Sequence, residues 1–442
     1  MADSRSPMAS RQVALKILLS VVQRGESLST AMPHGNTSLS VRDQAFVQML
    51  VYGVLRHYWR LQALMAPLLK KKFKDKERDL ELLIMLGIYQ LMDTRVPDYA
   101  SVDAVVGITR KIGKSWASGL VNGVLRNFMR QQSQLESKIH SKPQAEYDHP
   151  QWMIDQIRKD WPQQWQEILQ ANNQHPPMTL RINQQKISLD EYQSKLEQDV
   201  QRQGSALILQ QAVMAQALPG YDQGWFSVQD AGAKLAAELL DLQPGQSVLD
   251  CCAAPGGKTC HMLELQPSLD VLALDVSDDR LDRVRDNLGR LGLEADCRPG
   301  DALQPDGWWE GELYDRILLD VPCSASGVIR RHPDIKLLRR KNDLPALVQT
   351  QQQMLRSIWP LLKPGAKLLY ATCSIFKQEN EQQIEQFVQH MDDVELLEMP
   401  ESFGLACSYG RQILPGQDNM DGFYYCLLGK NAKQTGFQGE MA

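Results

Sequence analysis

Apolar residues recur at three- and four-residue spacing through the first third of the chain, over residues 13–22, 43–66, 80–92 and 101–112. That is the period of helices with one buried stripe. Ser40 and Ser101 stand where N-caps are expected, with Asp43 and Asp103 in the turns that follow. Strand alternation is missing, so this stretch predicts an all-helical domain of five or six helices. Residues 131–150 are polar, end at Pro150 and read as a linker. The pattern then becomes mixed. Residues 151–172 are helical and carry Trp152, Trp161 and Trp165, Pro176 and Pro177 break the run, and 178–183 alternate like a strand. A helix over 188–198 and a short strand over 206–209 complete a small α+β module of RNA-recognition-like type.

From Phe226 the rhythm is strand, helix, strand. Short apolar runs at 247–250, 271–275, 314–320 and 367–372 end on polar residues, and helical patterns follow at 258–265, 278–291, 344–361 and 378–391. Such alternation predicts a parallel, doubly wound α/β sheet with its chemistry at the carboxyl ends of the strands. The expected organisation is therefore multidomain: all-α over 1–140, α+β over 141–225, and α/β Rossmann-like over 226–442.

Bulk properties sharpen this picture at three points. A chain of 442 residues exceeds what one core holds, and 43% hydrophobic with 23% charged residues is ordinary for a globular protein. The polar N-terminus and the lack of any eighteen-residue apolar run exclude a secretory signal and a membrane span, so a cytoplasmic protein is expected. The net charge of −5 hides an asymmetry. Residues 1–150 carry 21 basic against 13 acidic side chains, and the remainder 27 against 40. A basic front on an acidic body suits a phosphate-seeking module, although a solvated basic face has the same composition. Its densest run is Lys70, Lys71, Lys72, Lys74, Lys76 and Arg78, read either as an exposed connection or as an RNA contact. All eight cysteines lie at or after Cys251, with no CxxC pair and no zinc-ligand spacing, so free thiols and no metal are expected.

The candidate chemistry begins at Asp250-Cys-Cys-Ala-Ala-Pro-Gly-Gly-Lys-Thr259, between a strand and a helix. Gly256 and Gly257 permit close backbone approach, and a helix N-terminus follows. It is not a P-loop, because Cys252 occupies the position of the first glycine, and GxGxxG is also missing. Asp275 ends the second strand, where a carboxylate can accept both ribose hydroxyls of an adenosyl group. Gly300-Asp301 suits the adenine edge. Asp250, Asp275, Asp301 and Asp320 thus form an ordered acidic series at strand ends. Asp320-Val-Pro-Cys323-Ser and Thr372-Cys373-Ser place two thiols at adjacent strand ends beside this loop. Each alone could be a small buried hydrophobe. Together they suit pyrimidine C5 chemistry, in which a thiolate adds to cytosine C6 and makes C5 nucleophilic. Asp320 is placed to offset charge near N3.

The segments CAAPGGKT (252–259), DVPCSASGVIRRHPDIK (320–336) and TCSIFKQENE (372–381) resemble the RNA (cytosine-C5) methyltransferase family, also called the Fmu or Sun family. Within it they are most similar to the bacterial enzymes acting on 16S rRNA. The N-terminal domain resembles the NusB family around residues 42–46 and 121–126. The resemblance implies a class I methyltransferase fold, S-adenosylmethionine as methyl donor with S-adenosylhomocysteine as product, and 16S rRNA as partner, by resemblance at cytosine 967. It implies Cys373 as nucleophile and Cys323 as the group assisting product release, as base for the C5 proton. The reverse order holds in DNA cytosine methyltransferases. It further implies a cofactor pocket of Cys252, Ala253, Ala254, Pro255, Gly256, Gly257, Lys258, Asp275, Asp301 and Asp320, with Lys258 also near the reacting centre. Val321 replaces the family's usual alanine. Arg181, Arg330, Arg331 and His332, with Lys70, Lys71 and Lys72, are candidate RNA contacts, and Arg339-Arg340-Lys341 forms a second basic cluster nearby. A non-catalytic RNA-binding assembly factor and a DNA cytosine methyltransferase are the competing readings.

Overall fold

Residues 7–36 and 39–431 are described by the structure, a computed structural model of the chain. By its contacts the chain forms two units, residues 1–174 with 329–341, and residues 175–328 with 342–442.

The first unit is helical, as its periodicity dictates. Helices Pro7–Arg24, Val41–Arg56, Tyr58–Met65, Arg78–Asp93, Asp98–Lys111 and Ser118–Glu136 turn their stripes onto one core built from residues such as Leu18, Val51, Leu83, Ile108 and Leu125. Ser40 caps as expected, its hydroxyl accepting from the Asp43 N–H at 3.2 Å. Ser101 does not cap. The helix starts three residues earlier, after Pro97, and Ser101 is buried inside it. The long periodic run over 43–66 breaks at His57, and the polar stretch over 131–150 is no linker. It continues the helix to Glu136, adds Pro143–Tyr147, and buries Leu135, Ile139 and Ala145 in the same core. Its polar residues are simply the outer face. Helices Gln151–Asp160 and Trp165–Asn172 also belong to this unit.

Residues 329–341 belong to it too, although the sequence on both sides belongs to the other unit. They are stitched in by buried polar groups. Lys336 Nζ donates to the carbonyls of Arg56 (2.6 Å) and Asp148 (2.7 Å) and to Asn173 Oδ1 (2.9 Å). Arg56 donates to the Arg330 carbonyl at 2.8 Å, and Asp334 accepts the Leu28 N–H at 2.9 Å.

The second unit holds two sheets. A four-stranded antiparallel sheet contains β1 (Met178–Ile182), β2 (Val200–Gln203), β3 (Ala206–Leu209) and β4 (Phe226–Val228) in the order β2-β3-β1-β4. Leu180, Ile182, Leu207, Leu209 and Phe226 pack beneath it with Tyr192. The helix expected over 188–198 is shorter, Leu189–Ser194, capped by Ser188.

The larger sheet comprises β5 (Ser247–Cys251), β6 (Asp270–Asp275), β7 (Asp296–Pro299), β8 (Tyr314–Asp320), β9 (Leu362–Thr372), β10 (Val394–Leu396), β11 (Leu405–Ala406), β12 (Arg411–Ile413) and β13 (Phe423–Lys430). Strands β7-β6-β5-β8-β9 are parallel. Beyond β9 the expectation of an all-parallel sheet fails. β13 joins antiparallel, β12 and β11 continue that edge, and β10 pairs with β13, so the sheet is mixed. Seven consecutive buried residues of β13 explain its interior position. The chain leaves β5 toward β6 on one side and returns as β8 on the other. This switch point opens a crevice at the carboxyl ends of the strands.

Candidate active site

The strand ends surround one cleft of about 320 Å³, within the roughly 300–1,000 Å³ of small-molecule sites. Cys252, Ala254, Asp275, Asp301, Asp320, Cys323 and Cys373 all line it. The loop that forms one wall must turn sharply from β5 into helix Gly257–Leu265. Cys252 takes φ +63° and Gly256 φ +94°. A Cβ on Gly256 would lie 3.0 Å from Val284 Cα, so both backbone hand and space call for glycine. Ala253 N–H donates to the Leu274 carbonyl (2.9 Å) and Ala254 N–H to Asp275 Oδ2 (3.2 Å), which fastens the loop to the end of β6. Ala253, Pro255, Gly256 and Gly257 contribute backbone shape rather than cleft-lining side chains.

Asp250 sits beneath the loop, not in the cleft. It accepts from Thr259 Oγ1 at 2.6 Å, and burial pushes its carboxyl up to about 7 against the pull of that bond. Its place in the acidic series is therefore that of a loop anchor. Asp275, almost wholly buried, also accepts from the Ser277 N–H and lies 3.3 Å from the Arg280 guanidinium. Asp301 follows Gly300, where a Cβ would come within 2.7 Å of Trp308 Cδ1. Leu274, Val276, Ala302, Leu303 and Met354 give an apolar wall between these carboxylates. Asp275, Asp301 and Asp320 outnumber Arg280 and the Lys258 paired with Asp320, a balance that disfavours polyphosphate and suits a nucleoside carrying positive charge. An S-adenosylmethionine fits this donor set, with hydroxyl acceptors at Asp275, a wall for the base, and a net negative rim for the sulfonium. Val276 and Met354 were not singled out in the sequence, since an exposed valine after a strand carries no motif; Val276 is 69% exposed yet lines the cleft.

At the other end of the cleft Lys258 Nζ is bonded to the Asp320 carboxylate and lies 5.7 Å from the Phe423 ring centroid. Burial pulls the Lys258 ammonium down, but Asp320, with smaller help from Cys373 and Asp250, outweighs it and holds the group above the ordinary lysine value. Lys258 is thus a fixed positive charge near both Asp320 and Cys373. The Cys323 and Cys373 sulfurs are 3.4 Å apart, hydrogen-bonded and not disulfide-linked. The Cys373 sulfur, then burial, then the charges of Cys373 and Glu379 push the Cys323 thiol well above its usual range. Either sulfur can be the donor of the bond between them.

The basic candidates are scattered. Arg181 is buried, paired through both nitrogens with Glu264 (2.8 and 2.7 Å) and bonded to the Gly257 carbonyl at 2.7 Å. It is therefore committed to Glu264 and the turn at Gly257 rather than offered to a phosphate. Arg330 is buried in the first unit, which corrects its reading as a surface contact; Arg331 is half-buried and His332 exposed. Lys70, Lys71 and Lys72 are exposed and line a groove with Trp116 and Leu120, and Trp116 is 65% exposed. Trp116 was missed because an isolated tryptophan at a helix start reads as core. Among the described residues no cluster of potential metal ligands occurs, and no helix is long and apolar enough to cross a membrane.

Residues 237–429 match the model of the 16S rRNA methyltransferase RsmB/F family. Residues 8–130 match the NusB family, and 149–216 the ferredoxin-like domain of RsmF/B-like methyltransferases. The chain is 45% identical over 426 residues to ribosomal RNA small subunit methyltransferase B of Vibrio cholerae, covering 95% of this chain and 97% of that one. It is 42% identical over 439 residues to the enzyme of the same name from Pseudomonas syringae, covering 97% and 98%. The solved structure of PH0851 shares the fold with a TM-score of 0.79 at 22% identity, over 97% of this chain and 100% of that one.

Proposed function

The chain belongs to the 16S rRNA methyltransferase RsmB/F family, and from that premise we propose that it methylates C5 of one cytosine of 16S rRNA through a covalent bond to Cys373. It is an S-adenosylmethionine-dependent rRNA methyltransferase with a NusB-like domain. The target cytosine is, by the resemblance of its motifs, position 967. The observation that carries the mechanism is the pair of sulfurs 3.4 Å apart at the rim of the cleft that Asp275 and Asp301 also line.

Bound S-adenosylmethionine, held by Cys252–Lys258, Asp275, Asp301 and the apolar wall, supplies an electrophilic methyl group. The protein's own residues do the rest. Cys373, the less buried of the two sulfurs and the one beside the Lys258 ammonium, is the one that attacks C6 of the ring, with Cys323 next to it. Asp320 is placed on the N3 side, and the negative charge that develops there as sulfur adds is offset by the Lys258 ammonium bonded to it, whose proton Asp320 can pass to N3. After C5 is methylated, its proton must leave as the C6–sulfur bond breaks. As that bond breaks, the Cys323 thiol passes its proton to the departing Cys373 sulfur and takes up the proton leaving C5, so the net transfer is from C5 to Cys373. Lys70, Lys71 and Lys72 with Trp116, and separately Arg331 and His332, are the proposed rRNA contacts; the lysines neutralise phosphate and the indole offers a stacking face. Action in the cytoplasm follows from the substrate.

Labelled methyl groups from S-adenosylmethionine should pass to 16S rRNA, and bisulfite sequencing of rRNA from cells lacking the gene should lose one 5-methylcytosine. An unchanged bisulfite map would refute the substrate.

A further inference from the structure

The parallel ladder between β8 and β9 ends at the pair Asp320 and Ala371, with one more bond from Val321 N–H to the Ala371 carbonyl. The two thiols lie just beyond it, where Gly327 N–H donates to the Cys373 carbonyl (2.9 Å) and Ile375 N–H to Ser326 Oγ (3.0 Å). A buried carboxylate joins the same loops at the residues next to the thiols. Glu379, fully buried, accepts the Ser324 N–H (2.8 Å) and Gln351 Nε2 (3.0 Å) on Oε1, and the hydroxyls of Ser324 and Ser374 (2.5 Å each) on Oε2. Ser324 follows Cys323, and Ser374 follows Cys373. One side chain therefore grips both cysteine loops by the residue next to each thiol. All four donors are uncharged. Burying a carboxylate without a cation costs several kcal/mol in solvation, a cost that an apolar contact would not incur, and its return here is a shared acceptor that fixes geometry.

We propose that Glu379 is a positioning residue for the methyl transfer, clamping the Cys323 and Cys373 loops so that the two sulfurs keep the spacing that attack and release require. This rests on the two-thiol reading above. Glu379 acts on the sulfurs through Ser324 and Ser374. Its negative charge adds to the effect by helping to keep the proton on Cys323. A carboxamide replaces it only by removing the charge and turning both serine hydroxyls from donors into acceptors, because the Ser324 N–H on the other oxygen can only donate. Displacements of about 1 Å at a reacting centre cost on the order of a hundredfold in rate.

The test compares wild-type protein with E379Q, and with S374A, which releases only the Cys373 arm. Sulfur spacing is read directly by the rate at which diamide joins Cys323 to Cys373, followed by mass spectrometry of the linked peptides. Activity is read as kcat and KM on 16S rRNA. E379Q should cross-link at least tenfold more slowly and lose about a hundredfold in kcat, with KM for S-adenosylmethionine within threefold and the thermal midpoint little changed. S374A should fall between. A folded E379Q that cross-links and turns over like wild type overturns the proposal, as does a folded S374A that does so should E379Q not fold. Cross-linking does not depend on which cysteine attacks RNA. If C373A still forms an RNA adduct, the two-thiol reading fails while the clamp is judged on spacing alone.

Discussion

At the residue scale, the site is built by carboxylates that differ in burial and partner rather than in kind. Asp250 is sealed under the loop and anchors Thr259, Asp320 is paired with Lys258, and Asp275 receives two backbone N–H groups. Only the last two line the cleft. Asp275→Asn keeps the shape but turns one acceptor into a donor. It should raise KM for S-adenosylmethionine by roughly ten- to a hundredfold, the equivalent of about 1.5–3 kcal/mol for a charged hydrogen bond. RNA binding should hold, and titration of cofactor and RNA by calorimetry separates the two. These roles were partly legible in the sequence. Motif spacing brought out Cys252, Asp275, Asp301, Asp320, Cys323 and Cys373, because each ends a strand or opens a loop. Glu379 and Val276 were not legible, since one is a glutamate in a polar run and the other a lone valine. Burial gives the first its meaning and exposure gives the second, and neither property is written in a single residue type.

At the element scale, the helices and parallel strands followed from apolar periodicity, whereas each failure has its own cause. Residues 131–150 looked like a linker because helical outer faces are polar, and the sequence gives no inner face until Leu135, Ile139 and Ala145 are seen to share one. β13 escaped because an unbroken apolar run has no period. Segment 329–341, whose two basic clusters were read as beside the active strand, packs into the helical unit through Arg330 and residues 333–336 and leaves His332, Arg340 and Lys341 exposed. Its central group makes a pH prediction. Burial draws Lys336 down to about 7 from 10.5, opposed by the Asp148 charge. Between those values the unfolded chain binds a proton that the folded protein has released, so this group makes stability rise with pH across that window. Lys336→Met should remove the rise, about 1.4 kcal/mol per pH unit at most. Denaturant melts at pH 7 and 9 check it, and parallel changes in both proteins would count against it.

At the scale of the whole molecule, charge and chemistry are divided. The basic excess lies in residues 1–150, where Lys70, Lys71 and Lys72 remain exposed, while the acidic part carries the cleft. That division suits an enzyme that holds a polyanion with one part and a sulfonium with another. Everything specific to the reaction nevertheless returns to the two sulfurs. The decisive measurement is the yield of denaturation-resistant protein–RNA adduct formed with 16S rRNA and S-adenosylmethionine by C373A and C323A, resolved on denaturing gels. Attack by Cys373 and release by Cys323 predict no adduct from C373A and accumulated adduct from C323A. Adduct from C373A, with none from C323A, would contradict the account.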